Sequence, residues 1–141
     1  MKFSFILLAI LFTMSGFADI TISGNPPPLT ISTAIAGSNP TPVTNATTTY
    51  TVTNLILSGA RITGQLNVAM PTNVTLSLQL QAPSGGTSQG LVALSTTAQN
   101  LVTNIPIIAL ASNLTCTYRL AATAAALPAT NLTVIITLTQ L

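Results

Sequence analysis

The chain has 141 residues, of which three are Lys or Arg and one is acidic; it contains no histidine and is 48% hydrophobic. High hydrophobicity with low net charge is the reverse of the disorder signature. Two scattered arginines make no basic stripe for nucleic acid.

The N-terminus has the three parts of a secretory signal. Lys2 supplies the charge, Phe3–Phe12 the apolar run, and Gly16-Phe17-Ala18 the small residues at −3 and −1. Residues 1–18 are therefore expected to be removed, leaving a mature domain over 19–141. The apolar run is shorter than the roughly 20 residues a transmembrane helix needs, so no membrane span is expected in the mature form. The protein is expected to be secreted or held at the cell surface.

After Asp19 the dominant signal is period-two alternation, which marks half-buried strands. Asp19–Ser23, Leu29–Ile35 and Thr47–Asn54 come first. Arg61–Met70 places Ile62, Leu66, Val68 and Met70 on one face. Asn73–Gln81 does the same with Val74, Leu76, Leu78 and Leu80. Gly90–Ser95 and Leu101–Ile108 are briefer. Asn113–Ala121 puts Leu114, Cys116, Tyr118 and Leu120 inward, and Asn131–Gln140 closes the series with Leu132, Val134, Ile136 and Leu138. The 25 threonines suit a pleated, half-buried surface.

Between these runs lie breakers: Asn25-Pro26-Pro27-Pro28, the loop Gly37–Pro42, and the turn cluster Pro83-Ser84-Gly85-Gly86. Met70-Pro71-Thr72-Asn73 reads as a tight link, predicting that the strands on either side pair as a hairpin. Ala121–Pro128 reads as the loop before the last strand. The predicted fold is all-β: a single antiparallel immunoglobulin-like β-sandwich of about seven to nine strands.

Much chemistry is missing from 19–141. The only charged side chains are Asp19, Arg61 and Arg119, with no His, Glu or Lys. General acid–base catalysis lacks its titratable group, and a Ser, Thr or Cys nucleophile lacks an activating base. Zinc and calcium lack ligand clusters. No catalytic, metal or cofactor-binding residue is predicted, and the protein is expected not to be an enzyme. Arg61 and Arg119 read as solubilising or loop-bonding residues on outward faces. Cys116, the lone cysteine, reads as a small buried apolar residue; an intermolecular bridge is its sharper alternative. Asn45, Asn73, Asn113 and Asn131 begin Asn-x-Thr sequons, and each lies near a strand start, where turn chemistry explains an asparagine.

Three further stretches carry a resemblance: Ala60-Arg61-Ile62-Thr63-Gly64-Gln65-Leu66, Ala82-Pro83-Ser84-Gly85 and Leu94–Val102. With Leu114–Leu120 and Val134–Leu138 they resemble small secreted bacterial surface domains, in the style of spore-coat-U-like and fimbrial subunits. The resemblance implies a β-sandwich that assembles on the cell surface. Such subunits commonly carry a cysteine pair, whereas this chain has Cys116 alone.

Two functions compete. One is a structural subunit that meets itself or another surface subunit through strand edges; a near-neutral surface gives copies little long-range repulsion. In that reading Asp19–Ser23 is either a donor strand for a neighbour or an edge strand of its own sheet. The other is a monomeric adhesin or glycan-binding module acting through Gly37–Pro42 and Pro83–Gln89. Against it, all four Phe lie in the signal and Trp is absent, leaving little aromatic surface for stacking.

Overall fold

The computed structural model describes residues 17–126 and 132–141. The expected signal residues 1–16, and Leu127-Pro128 with the Asn131 sequon, lie outside the described residues. No helix among the described residues is long and apolar enough to cross a membrane.

Nine strands form among the described residues: β1 (Ala18–Ile22), β2 (Val43–Asn54), β3 (Ala60–Leu66), β4 (Val74–Leu80), β5 (Thr87–Ser88), β6 (Val92–Ala93), β7 (Gln99–Ile105), β8 (Ala109–Ala122) and β9 (Val134–Gln140). They make two antiparallel sheets, ordered β1-β2-β8-β4-β6 and β5-β7-β3-β9. The chain is thus the β-sandwich that its alternation predicts. From β2 onward every connection crosses between the sheets, since even-numbered strands lie in one and odd-numbered strands in the other. Among the described residues β1 and β2 are the one pair of sequential strands that lie side by side in a sheet.

The predicted hairpin at Met70–Asn73 is corrected by this topology. β3 and β4 belong to different sheets, β3 between β7 and β9 and β4 between β8 and β6. Beyond Leu66 the chain stays beside β9, where the Asn67 N–H donates to the Thr133 carbonyl at 3.1 Å. It then crosses the layer, and Asn73 takes φ 68° to enter β4. Leu29–Ile35 forms no strand; it belongs to the long connection from β1 to β2, whose Leu29 packs against the core.

The core is where the alternating faces meet. Tyr50, Val52, Leu78, Leu80, Cys116 and Tyr118 come from one sheet; Ala60, Ile62, Leu66, Leu101 and Ile105 come from the other. Gly64 lies among them because nothing larger fits: a Cβ there would sit 2.6 Å from Leu101 Cδ1.

Asparagines sit at the bulges. The β2–β8 register slips between Asn45 and Thr48 and between Tyr50 and Val52, and β3–β7 slips between Ala60 and Ile62. Asn45 Oδ1 accepts the Thr47 N–H at 3.1 Å. Asn113 and Asn104 take φ 57° and 56° at the second and third of these slips, and the β3–β7 register slips once more between Ile62 and Thr63. The left-handed region is open to asparagine at modest cost, and the slips at Asn104 and Asn113 use it. Turn chemistry therefore accounts for Asn45, Asn73 and Asn113.

Candidate functional site

Sheet edges are the first candidate surface, because an unpaired strand presents a row of N–H and C=O groups. β5 and β6 are two-residue strands and expose almost no ladder. The longer edges, β1 and β9, approach one another on the same flank of the sandwich.

Hydrogen-bond parity decides what each edge offers. The Leu141 N–H donates to the Gly59 carbonyl at 2.8 Å, and the Thr133 carbonyl accepts from Asn67. In this register the odd residues of β9 bond to β3. The main-chain groups of Val134, Ile136, Leu138 and Gln140 therefore point outward, unpaired among the described residues. The same argument on β1, from the Ser23 N–H to the Thr49 carbonyl at 2.9 Å, directs Ala18, Ile20 and Ile22 outward. β9 carries no charge and no proline, whereas β1 carries Asp19. β9 is an edge strand, and Val134, Ile136 and Leu138 are half-buried rather than central to the core.

A groove of about 1160 Å³ opens where β1 ends and β9 begins, at the end of the sandwich away from the Asn54–Ala60 loop. Ile22, Tyr118, Leu120, Val134 and Ile136 line it, with the Pro26-Pro27-Pro28 segment alongside. Asp19–Ser23, the alternative donor segment, pairs here with β2 of its own sheet over Ala18–Ile22.

The two loops of the adhesin reading are not brought together. Asn39–Pro42 lies beside Asn73, Thr75 and Ala121–Thr123, around a cleft of about 500 Å³. Pro83–Gln89 lies at the opposite end, where a Cβ on Gly85 would meet Pro106 at 3.3 Å. That stretch also contains β5, which the alternation did not reveal.

Arg61 is exposed on β3 and Arg119 half-buried on β8. Cys116 is fully buried, and burial pushes its thiol up to about 11. A thiol held protonated is a poor nucleophile. Burial, and then the neighbouring Cys116, push the Tyr118 phenol up to about 12. The Tyr50 hydroxyl, raised by the same two causes, donates to the Gln81 carbonyl.

Sequence reasoning missed Asn54. It ends β2 fully buried, and its Nδ2 donates to the Pro106 carbonyl at 2.8 Å and to the Ser58 carbonyl at 3.2 Å. Its Oδ1 has no hydrogen-bond partner among the described residues. Alternation gives its inward direction, but no sequence signal names the two loops that it joins.

No protein-family model matches the chain, and no curated protein or solved structure is significantly similar to it.

Proposed function

We propose that the protein is an exported, non-catalytic structural subunit that assembles with copies of itself by pairing strand edges on the β1–β9 flank. The observation that carries this reading is the β9 edge. Its seven residues offer four outward main-chain donors and four acceptors, with no charge, proline or bulge to repel a second strand.

One register uses all of these groups. Two β9 strands related by a two-fold axis at Thr137 bring Ile136 opposite Leu138 and Val134 opposite Gln140 of the second copy. Every outward N–H and C=O then finds a partner, and the two four-stranded sheets become continuous. The two Thr137 residues form a close non-hydrogen-bonded pair on the solvent face, a favourable cross-strand contact. Adding a strand to an open edge is a recurrent mode of recognition. With so few charges, association depends little on salt.

Sedimentation velocity over a concentration series tests the reading. The wild-type exported protein is expected to associate, and Thr137→Lys to remain monomeric with the same circular dichroism. A wild type that is monomeric throughout, in low and high salt, overturns the assembly reading and leaves the binding module to replace it.

A further inference from the structure

β1 and β9 lie on one flank, in opposite layers and in contact with each other. Both strands can be placed on one scale along the flank. At one end Ala18 pairs with Asn54 and Gln140 with Ala60, and the short β2–β3 loop joins those two partners. At the other end Ile22 lines the groove together with Val134, Ile135 and Ile136. The two strands therefore run in opposite directions. Counting inward from either end puts Ile20 within one residue of the level of Thr137. Parity on β1 holds along its whole length. The Ser23 N–H donates to the Thr49 carbonyl at 2.9 Å, and the Leu55 N–H donates to the Phe17 carbonyl at 2.8 Å. The odd residues thus bond to β2, and Ala18, Ile20 and Ile22 carry the outward main-chain groups.

We infer that a second copy is met by both layers at once: the two-fold axis at Thr137 runs on through the flank to Ile20, and β1 pairs with β1 of the second copy beside the β9 pair. This rests on the β9 pairing proposed above. An axis normal to the layers turns each strand it crosses antiparallel to its own copy, whatever the angle between the layers. Such an axis needs either a hydrogen-bonded or a non-hydrogen-bonded pair at its centre. Thr137 provides the second kind and Ile20 the first. Ile20 exchanges both main-chain hydrogen bonds with Ile20 of the second copy, and Asp19 comes opposite Thr21. The one charge on this edge then faces a hydroxyl instead of a second carboxylate. Thr21 Oγ1 already donates to Asp19 Oδ2 within a copy at 3.2 Å, and the opposing Thr21 brings the same donor. Both five-stranded and both four-stranded sheets become continuous. The edges left over, β5 and β6, are two-residue strands. Assembly therefore closes at two copies and does not run on into a fibre.

Charge at position 21 tests this apart from the β9 contact. Thr21 is exposed on β1, so Thr21→Lys and Thr21→Glu should leave circular dichroism unchanged. In sedimentation equilibrium of the exported protein at low salt, Thr21→Lys meets Asp19 of the second copy and should tighten the dimer about threefold to tenfold. Thr21→Glu should loosen it by a similar factor. Long-range repulsion predicts the opposite order, since residues 19–141 carry two arginines and one aspartate. High salt, or Asp19→Asn in the same chain, should erase both effects. Thr21 variants that associate alike, or in the order set by net charge, overturn the inference, and loss of association in Thr137→Lys then leaves β9 pairing standing. Species larger than a dimer overturn the closure. A wild type that stays monomeric removes the β9 pairing and this inference with it.

Discussion

The Asn54 side-chain amide lies 2.8 Å from the Pro106 carbonyl oxygen, so one buried residue at the end of β2 holds the turn between β7 and β8. Its second N–H reaches Ser58 in its own loop. The β2–β3 loop and the β7–β8 turn are thus both fastened from beneath by a single amide. Asn54→Ala should leave two carbonyls without their donor and open a small cavity. A fully buried orphan acceptor costs about 1–3 kcal/mol; these carbonyls are part-buried and the change also removes the unpartnered Oδ1, so a loss of about 1–2 kcal/mol is expected in urea denaturation. Amide exchange should quicken at Leu55–Gly59 and Pro106–Ala109 before the rest of the sandwich. Exchange that stays uniform across the domain would show that the loops do not depend on this amide.

Gly64→Ala tests the packing between the layers. The new methyl meets the fully buried Leu101 side chain at 2.6 Å, and overpacking a core of this kind costs about 1–3 kcal/mol. The thermal midpoint should fall. Gly64→Ala combined with Leu101→Val, which removes a methylene at the clash, should recover part of the loss. No recovery would mean that the strain lies in the backbone instead.

These two positions show how far the sequence reaches. Alternation around Ile62, Leu78 and Cys116 gives the inward faces correctly, because period two is a local property of the strand. It cannot tell which strand lies beside which. The Met70–Asn73 link therefore reads as a hairpin although the strands it joins lie in opposite layers. Bulges defeat the pattern as well: the register slip near Leu101 leaves both Leu101 and Val102 buried. β5 and β6 are too short to carry a period. The near-absence of charge is visible in composition, but the gathering of the exposed Leu57, Ile108 and Leu141 at the Asn54–Ala60 end of the sandwich depends on topology.

Stability should respond to alkali through the core. The Cys116 thiol rises from 9.0 to about 11, and the Tyr118 phenol from 10.0 to about 12, chiefly because burial disfavours their charged forms. Both groups bind their protons more tightly in the folded state. Their contribution is complete below pH 9 and is lost as pH climbs through the folded values. With no His or Glu in the chain, the urea midpoint should be level from about pH 5 to about pH 8 and then fall. Cys116→Ala should flatten the first part of that fall, although it lowers stability at neutral pH. An alkaline limb that Cys116→Ala leaves unchanged would remove the thiol from the account.

The register proposed for β9 has a consequence that simple loss of association does not test. If the two-fold axis passes through Thr137, each copy sets its own residue 137 directly against the same residue of its partner. Thr137→Lys then opposes two ammonium groups, and Thr137→Glu opposes two carboxylates, at a site where strand edges use charge to prevent pairing. Either variant alone should be monomeric. Mixing them should restore a heterodimer, because lysine then faces glutamate in a close cross-strand pair. Such restored association should weaken with salt, whereas wild-type association should not, since the wild-type strand has no charge to screen. Ile135 and Thr139 lie two residues from the axis on the same face and should oppose each other across the pair. Ile135→Lys mixed with Thr139→Glu should therefore also associate, and Ile135→Lys mixed with Thr137→Glu much less. Analytical ultracentrifugation of the mixtures separates these outcomes. Association of all mixtures alike would place the contact elsewhere on the flank, and association of none would remove β9 as the pairing edge.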